Sequence, residues 1–118
     1  MLRAWVAARL DERQSALLGD ELAVVASELA TNAVRHGLAP IRAALAVVEA
    51  PGGGLRARLE VADSGAGFTP GVNVRDLDGY PSLDCHGRGL LIVAELSRRW
   101  GVERREDRHV VWAELAAT

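Results

Sequence analysis

The sequence predicts an α+β fold: a two-layer α/β sandwich, with three helices on one face of a mostly antiparallel sheet. Three observations carry that expectation. Apolar residues recur at helical spacing in the first third of the chain and again after Gly89. Leu55, Ala57, Leu59 and Val61 alternate with Arg56, Arg58 and Glu60, the pattern of a sheet with one buried and one wet face. The strand-like segments are joined in pairs by short turn sequences, which favours hairpins over parallel crossovers.

The elements follow in order. Residues 3–18 read as a first helix, with Leu2, Val6, Leu10 and Leu17 near one face. Gly19 is expected to end it and Asp20 to cap the next one. Leu22, Val25, Ala26, Leu29 and Ala33 form the stripe of the second helix, stopped by Gly37 and Pro40. Residues 41–49 and 55–63 read as strands around the turn Pro51-Gly52-Gly53-Gly54. A polar stretch without periodicity then runs over residues 68–86, longer than the about 12–15 residues usual for a passive loop. Gly87-Arg88-Gly89 opens a third helix over residues 90–99. Residues 100–105 and 109–115 read as a closing hairpin around Glu106-Asp107.

The 118 residues suit one compact domain, 1–118. No apolar run approaches the roughly 18 residues of a membrane span, and no secretion-type leader is evident. The single cysteine, Cys85, allows no internal disulfide. A soluble, cytoplasmic protein is the expectation. The net charge is −2, with no basic stripe, which argues against direct nucleic-acid binding. All 14 basic residues are arginine. A P-loop, which needs a lysine on the phosphates, and Schiff-base chemistry are therefore excluded.

Three stretches carry candidate chemistry. In ELATNAVRHG, Glu28, Asn32 and His36 stand four residues apart. With Leu22 at zero and 100° per residue, they fall at about 240°, 280° and 320°, beside the apolar stripe. Taken alone this is an ordinary amphipathic edge. The functional alternative is a place where an amide oxygen can ligate a hard cation and a carboxylate can accept a proton, and the rest of the chain decides between them. Asp63-Ser64-Gly65-Ala66-Gly67 ends a strand. It is a turn sequence, or an acceptor-only carboxylate facing an exocyclic amine, with glycines that let a flat ring approach. Gly87-Arg88-Gly89-Leu90 is a hinge at a helix start, or a phosphate cradle. It lacks the third glycine and the preceding strand of a dinucleotide fingerprint. Cys85 adjoins it without a triad partner.

The order of these motifs, from Glu-x-x-x-Asn on a helix through DxGxG at a strand end and a long loop to GxGL at a helix start, resembles the GHKL (Bergerat-fold) ATPases. That superfamily includes type II topoisomerase and sensor histidine kinase ATP domains. SELATNAVRHG, VADSGAGF, GRGLLIVAEL and VVWAEL look like its anti-sigma-factor serine kinase subgroup, over about Asp20 to Leu115. The resemblance implies ATP and Mg²⁺ as cofactors, Glu28 as general base and Asn32 as the metal ligand. It implies Asp63 as the adenine-recognising carboxylate, with Gly65 and Gly67 lining the pocket, and residues 68–86 as an ATP lid. Gly87, Arg88, Gly89 and Leu90 would meet phosphates, and Arg35 and His36 would add positive charge.

The implied activity is that of a protein serine kinase acting on a small anti-sigma-factor antagonist with an acceptor serine. A sigma factor is a further implied partner, and a homodimer is compatible. The alternatives are an ATP-sensing interaction module and an ATP-hydrolysing domain of the same fold. Two departures stand out. Relatives often begin with a short strand that this sequence lacks ahead of its first helix. They also often carry a threonine near the adenine in the last strand, where the matching position is expected to be Val110.

Overall fold

The structure is a computed structural model that describes residues 2–65 and 87–118. Two helices, α1 (Leu2–Ala8) and α2 (Glu12–His36), precede a hairpin of β1 (Arg42–Glu49) and β2 (Leu55–Asp63). Then come α3 (Gly87–Leu96) and a second hairpin, β3 (Arg99–Arg105) and β4 (Arg108–Ala117). The four strands form one antiparallel sheet in the order β1-β2-β4-β3. The α+β expectation holds. Among the described residues, no helix is long and apolar enough to cross a membrane.

The N-terminal helix boundary is a correction. The chain breaks at Leu10-Asp11, and Gly19 and Asp20 lie inside the continuous 25-residue α2. The reason is a capping box. Asp11 Oδ1 accepts from the Gln14 N–H at 2.8 Å, and Gln14 Oε1 accepts from the Asp11 N–H at 3.0 Å. Two otherwise orphaned donors are satisfied at that point. A glycine inside a helix costs only about 1 kcal/mol, and the packing of Leu18, Leu22 and Val25, each at most 1% exposed, outweighs it.

The end of α3 is a second correction. The helix stops at Leu96 instead of running to Arg99, and β3 starts at Arg99, one residue before the expected strand over 100–105. No glycine or proline marks the spot. The Arg98 N–H donates to the Glu114 carbonyl at 2.7 Å, and the Arg99 guanidinium binds the Glu114 carboxylate. A partner on another strand draws the chain out of the helix.

Strand register explains the two sheet faces. Ala57 pairs with Leu115, Leu59 with Ala113, Val61 with Val111 and Asp63 with His109. Leu55, Ala57, Leu59 and Val61 are buried, and they pack with Leu22, Val25, Ala26 and Leu29 of α2 and Leu90 and Val93 of α3. The row runs on past the apolar residues to Asp63 and His109, both buried. The alternate row faces away from the helices.

Candidate functional site

The polar end of the helix-facing row meets the C-terminal half of α2. Asn32 is 6% exposed, and its Nδ2 has no hydrogen-bond partner among the described residues. An unsatisfied buried amide costs about 1–3 kcal/mol. Amide oxygen and nitrogen interchange by a 180° flip, so Asn32 can present either a donor or an oxygen ligand there. The helical-wheel placement on the edge of the core is what the structure shows.

Asp63 is held from three sides. Its Oδ1 accepts from the Gly65 N–H at 2.7 Å and from the Leu38 N–H at 3.3 Å, and its Oδ2 lies 3.1 Å from His109 Nδ1. Ser64 ties the segment after α2 to the end of β2. Its N–H donates to the Leu38 carbonyl at 2.9 Å, and its hydroxyl donates to the Ala39 carbonyl at 2.6 Å. The Arg104 guanidinium donates to the Gly65 carbonyl. Gly37 is a glycine because of this cluster: a Cβ there would overlap the Asp63 carboxylate and lie 2.7 Å from the Ala33 carbonyl oxygen. The DSG segment is thus a real turn, and the turn aims the carboxylate.

Asn32 and Asp63 line one slot with Leu29, Ala33, Gly37, Val61, His109 and Val111. Its volume is about 10 Å³, room for one water at most. A carboxylate acceptor and an amide with no partner among the described residues stand at its polar end. A larger cavity, about 540 Å³, lies on the opposite face of the sheet among Arg56, Arg58, Arg98 and Arg99. Volume alone would select that cavity, yet it holds none of the candidate site residues. The candidate residues Asn32 and Asp63 lie at the slot.

His109 is the functional candidate that the sequence reading missed. It stands opposite Asp63, whereas Val110 pairs with Ala62 on the alternate row. The last-strand residue set against Asp63 is therefore His109, with Val110 one residue on and on the alternate row. Period-two alternation, counted back from Leu115 and Ala113, would have found it, because His109 has their parity.

Glu28 is half-buried one turn before Asn32. A Cβ built on Gly89 would lie 2.8 Å from Glu28 Oε2, so the absence of a side chain at Gly89 leaves room for this carboxylate. The first turn of α3 carries backbone N–H groups with no partner inside the helix, together with the positive end of its dipole. Leu90 is fully buried in the core, which leaves only its backbone for a ligand. Arg35 is exposed and lines a separate groove with Leu2, Arg3 and Val34. Gly67 and the expected lid, residues 68–86, lie outside the described residues, as do the side chains of His36 and Arg88.

These parts fit a nucleotide. The Asp63 carboxylate suits an exocyclic amine, Asn32 can offer an oxygen to a hard cation, and the start of α3 suits phosphate. No group of three or more His, Cys, Asp or Glu side chains able to hold a metal occurs among the described residues. Mg²⁺ needs no such cage, since it is commonly held by one or two protein oxygens and the phosphates of its nucleotide.

Fold and site together define a nucleotide-binding domain of the α+β sandwich type. The family model for the histidine kinase-like ATPase domain matches residues 1–115, and the chain belongs to that family, within the GHKL superfamily. Membership carries ATP binding, usually with Mg²⁺, in an ATP-using phosphotransferase or ATPase. No curated protein matches the chain.

Proposed function

We propose that the chain is a protein serine kinase of the anti-sigma-factor type. It would use ATP with Mg²⁺ to phosphorylate a serine on a small antagonist protein. The observation that carries this reading is the placement of Glu28. Its carboxylate packs against Gly89 at the start of α3, one helical turn from the Asn32 amide, which has no partner among the described residues.

Mg²⁺ would be held by Asn32 and would neutralise charge on the phosphates. Asp63 accepts from the exocyclic amine of adenine, which sets the depth and orientation of the base. The N–H groups opening α3 receive phosphate oxygens. Glu28 takes the proton from the acceptor serine hydroxyl as its oxygen bonds to the γ-phosphorus and the bond to the β-phosphate oxygen breaks, releasing ADP. Phosphoryl transfer asks mainly for positioning and charge neutralisation. A chain without lysine supplies these through arginine, backbone N–H groups and the metal.

The test uses the purified chain, ATP with Mg²⁺, and partners captured with and without nucleotide, followed by phosphosite mapping. Glu28→Gln keeps the shape of the side chain and removes the base. It should retain ATP binding while transfer falls by about 10²–10⁴-fold. Unchanged transfer would remove Glu28 from the mechanism. Binding of ATP and partner with no transfer by the wild type would establish an ATP-sensing module, and phosphate release without a phosphoprotein would establish an ATPase.

A further inference from the structure

We infer that His109 is a positioning residue that sets base selectivity: it holds the Asp63 carboxylate in the orientation that demands an exocyclic amine from the ligand. The inference rests on the ATP-binding reading above and adds a residue that this reading does not require.

The three donors to Asp63 differ in kind. The Gly65 and Leu38 N–H groups both reach Oδ1. They anchor one oxygen and leave the carboxylate free to pivot, because the terminal torsion of an aspartate is broad. His109 Nδ1 takes the other oxygen at 3.1 Å. Two anchored oxygens define the carboxylate plane, whereas one does not.

His109 is itself placed firmly. It is 5% exposed, sits in register with Asp63 on the helix-facing row, and its ring borders the same slot as Asn32 and Gly37. Nδ1 carries the hydrogen in this arrangement, since an ionised carboxylate only accepts.

A carboxylate offers about four lone-pair sites. Three are occupied by these donors, which leaves about one for a ligand. Held in place, that site rewards an N–H and opposes a carbonyl oxygen. Adenine places an amine there, whereas hypoxanthine places a carbonyl. A pivoting carboxylate would turn away from the carbonyl and lose the distinction. Selectivity is gained as much by making the wrong base costly as by binding the right one.

The alternative is a core histidine that merely satisfies a buried aspartate. A ligand series separates the two. Binding of ATP, of purine riboside triphosphate (which lacks the exocyclic amine) and of inosine triphosphate is measured by calorimetry with Mg²⁺. The proteins are wild type, His109→Leu and His109→Asn. Leucine fills the space without a donor, and the asparagine amide nitrogen stands where Nδ1 does.

For His109→Leu, ATP binding should weaken by about tenfold, while purine riboside triphosphate changes by less than about twofold. The preference for ATP over inosine triphosphate should shrink accordingly. His109→Asn should restore both the ATP affinity and the preference to within about threefold of wild type. Equal weakening for all three ligands, or an unchanged preference in His109→Leu, would overturn the role of His109 and leave ATP binding intact. Should His109→Leu fail to fold, His109→Asn decides, because a lost preference in that folded variant also overturns the inference. A wild type that binds no ATP overturns the underlying reading, and this one with it.

Discussion

The two faces of the sheet carry polar residues of opposite character. On the helix-facing row, Asp63 and His109 are nearly excluded from water and make one contact with each other. On the open face, Arg105, Glu60, Arg58, Glu114 and Arg99 form a chain of ion pairs across β3, β4 and β2. Arg58 also stacks 4.2 Å above the Trp112 ring, and Gly101 lets Trp112 lie across its backbone. The open-face charges are numerous, mutually satisfied and partly solvated, which describes a surface that keeps an uncovered sheet wet. The buried pair is small and costly, and beside it an Asn32 amide has no partner among the described residues. Charge content therefore does not single out the candidate site. Buried polarity with no partner among the described residues does.

Substitutions on each face break or sharpen that contrast. The largest effect is expected at Asp63. Asp63→Asn replaces an acceptor-only group with an amide, and ATP binding by calorimetry should weaken by roughly 1.5–3 kcal/mol. Unaltered affinity would show that the buried carboxylate serves the turn alone.

A smaller effect is expected at Gly89. Gly89→Ala pushes a methyl against Glu28 Oε2, the movable end of a flexible side chain. Stability should hold or rise by about 0.5–1 kcal/mol, because alanine favours a helix. Phosphoryl transfer should fall by about tenfold, as a misplaced group costs rate. A melting curve and a transfer time course check the two halves; loss of stability without loss of transfer would make Gly89 a packing residue.

The smallest effect belongs to the open face. Glu114→Gln removes two ion pairs and should cost about 0.5–1 kcal/mol in denaturant titration, with ATP affinity unchanged. The pH dependence has a defined sign. Hydrogen bonds from Arg99 and then Arg58 hold the Glu114 carboxyl below its usual range, and Arg105 and Arg58 do the same for Glu60. A depressed carboxylate contributes stability above its unfolded value of about 4.3, and that contribution is lost as pH falls through the folded value. Between neutral pH and pH values below the folded carboxyl range, wild type should therefore lose more stability than a variant with Glu60 and Glu114 both replaced by Gln, and the gap between the two proteins should close as pH falls. Parallel acid curves would show that these pairs are too well solvated to matter.

How much was legible in the sequence depended on whether a signal was local. The strict alternation from Leu55 to Val61 located β2 to the residue, because the period of a strand needs no partner to be read. The row Glu28, Asn32, His36 placed Asn32 at the core boundary by helical geometry alone. The strand-end aspartate and the glycine-opened helix were likewise visible as motifs in order. The first helix was misread because Gly19 and Asp20 imitate a helix stop and cap, while the true break at Leu10-Asp11 depends on a capping box read only when Asp11 and Gln14 are taken together.

By itself the sequence determined the fold class, the motif order and the apolar stripes. These follow from backbone periodicity and side-chain chemistry over a few residues. Tertiary structure alone decided three things. It ended α3 at Leu96 through a Glu114 partner on β4, it made Gly37 and Gly89 the clearances for Asp63 and Glu28, and it set His109 rather than Val110 against Asp63. Each depends on residues distant in the chain meeting at contact distance. A register shift of one would reverse the last, since a strand turns every side chain to its other face when it slips by one residue.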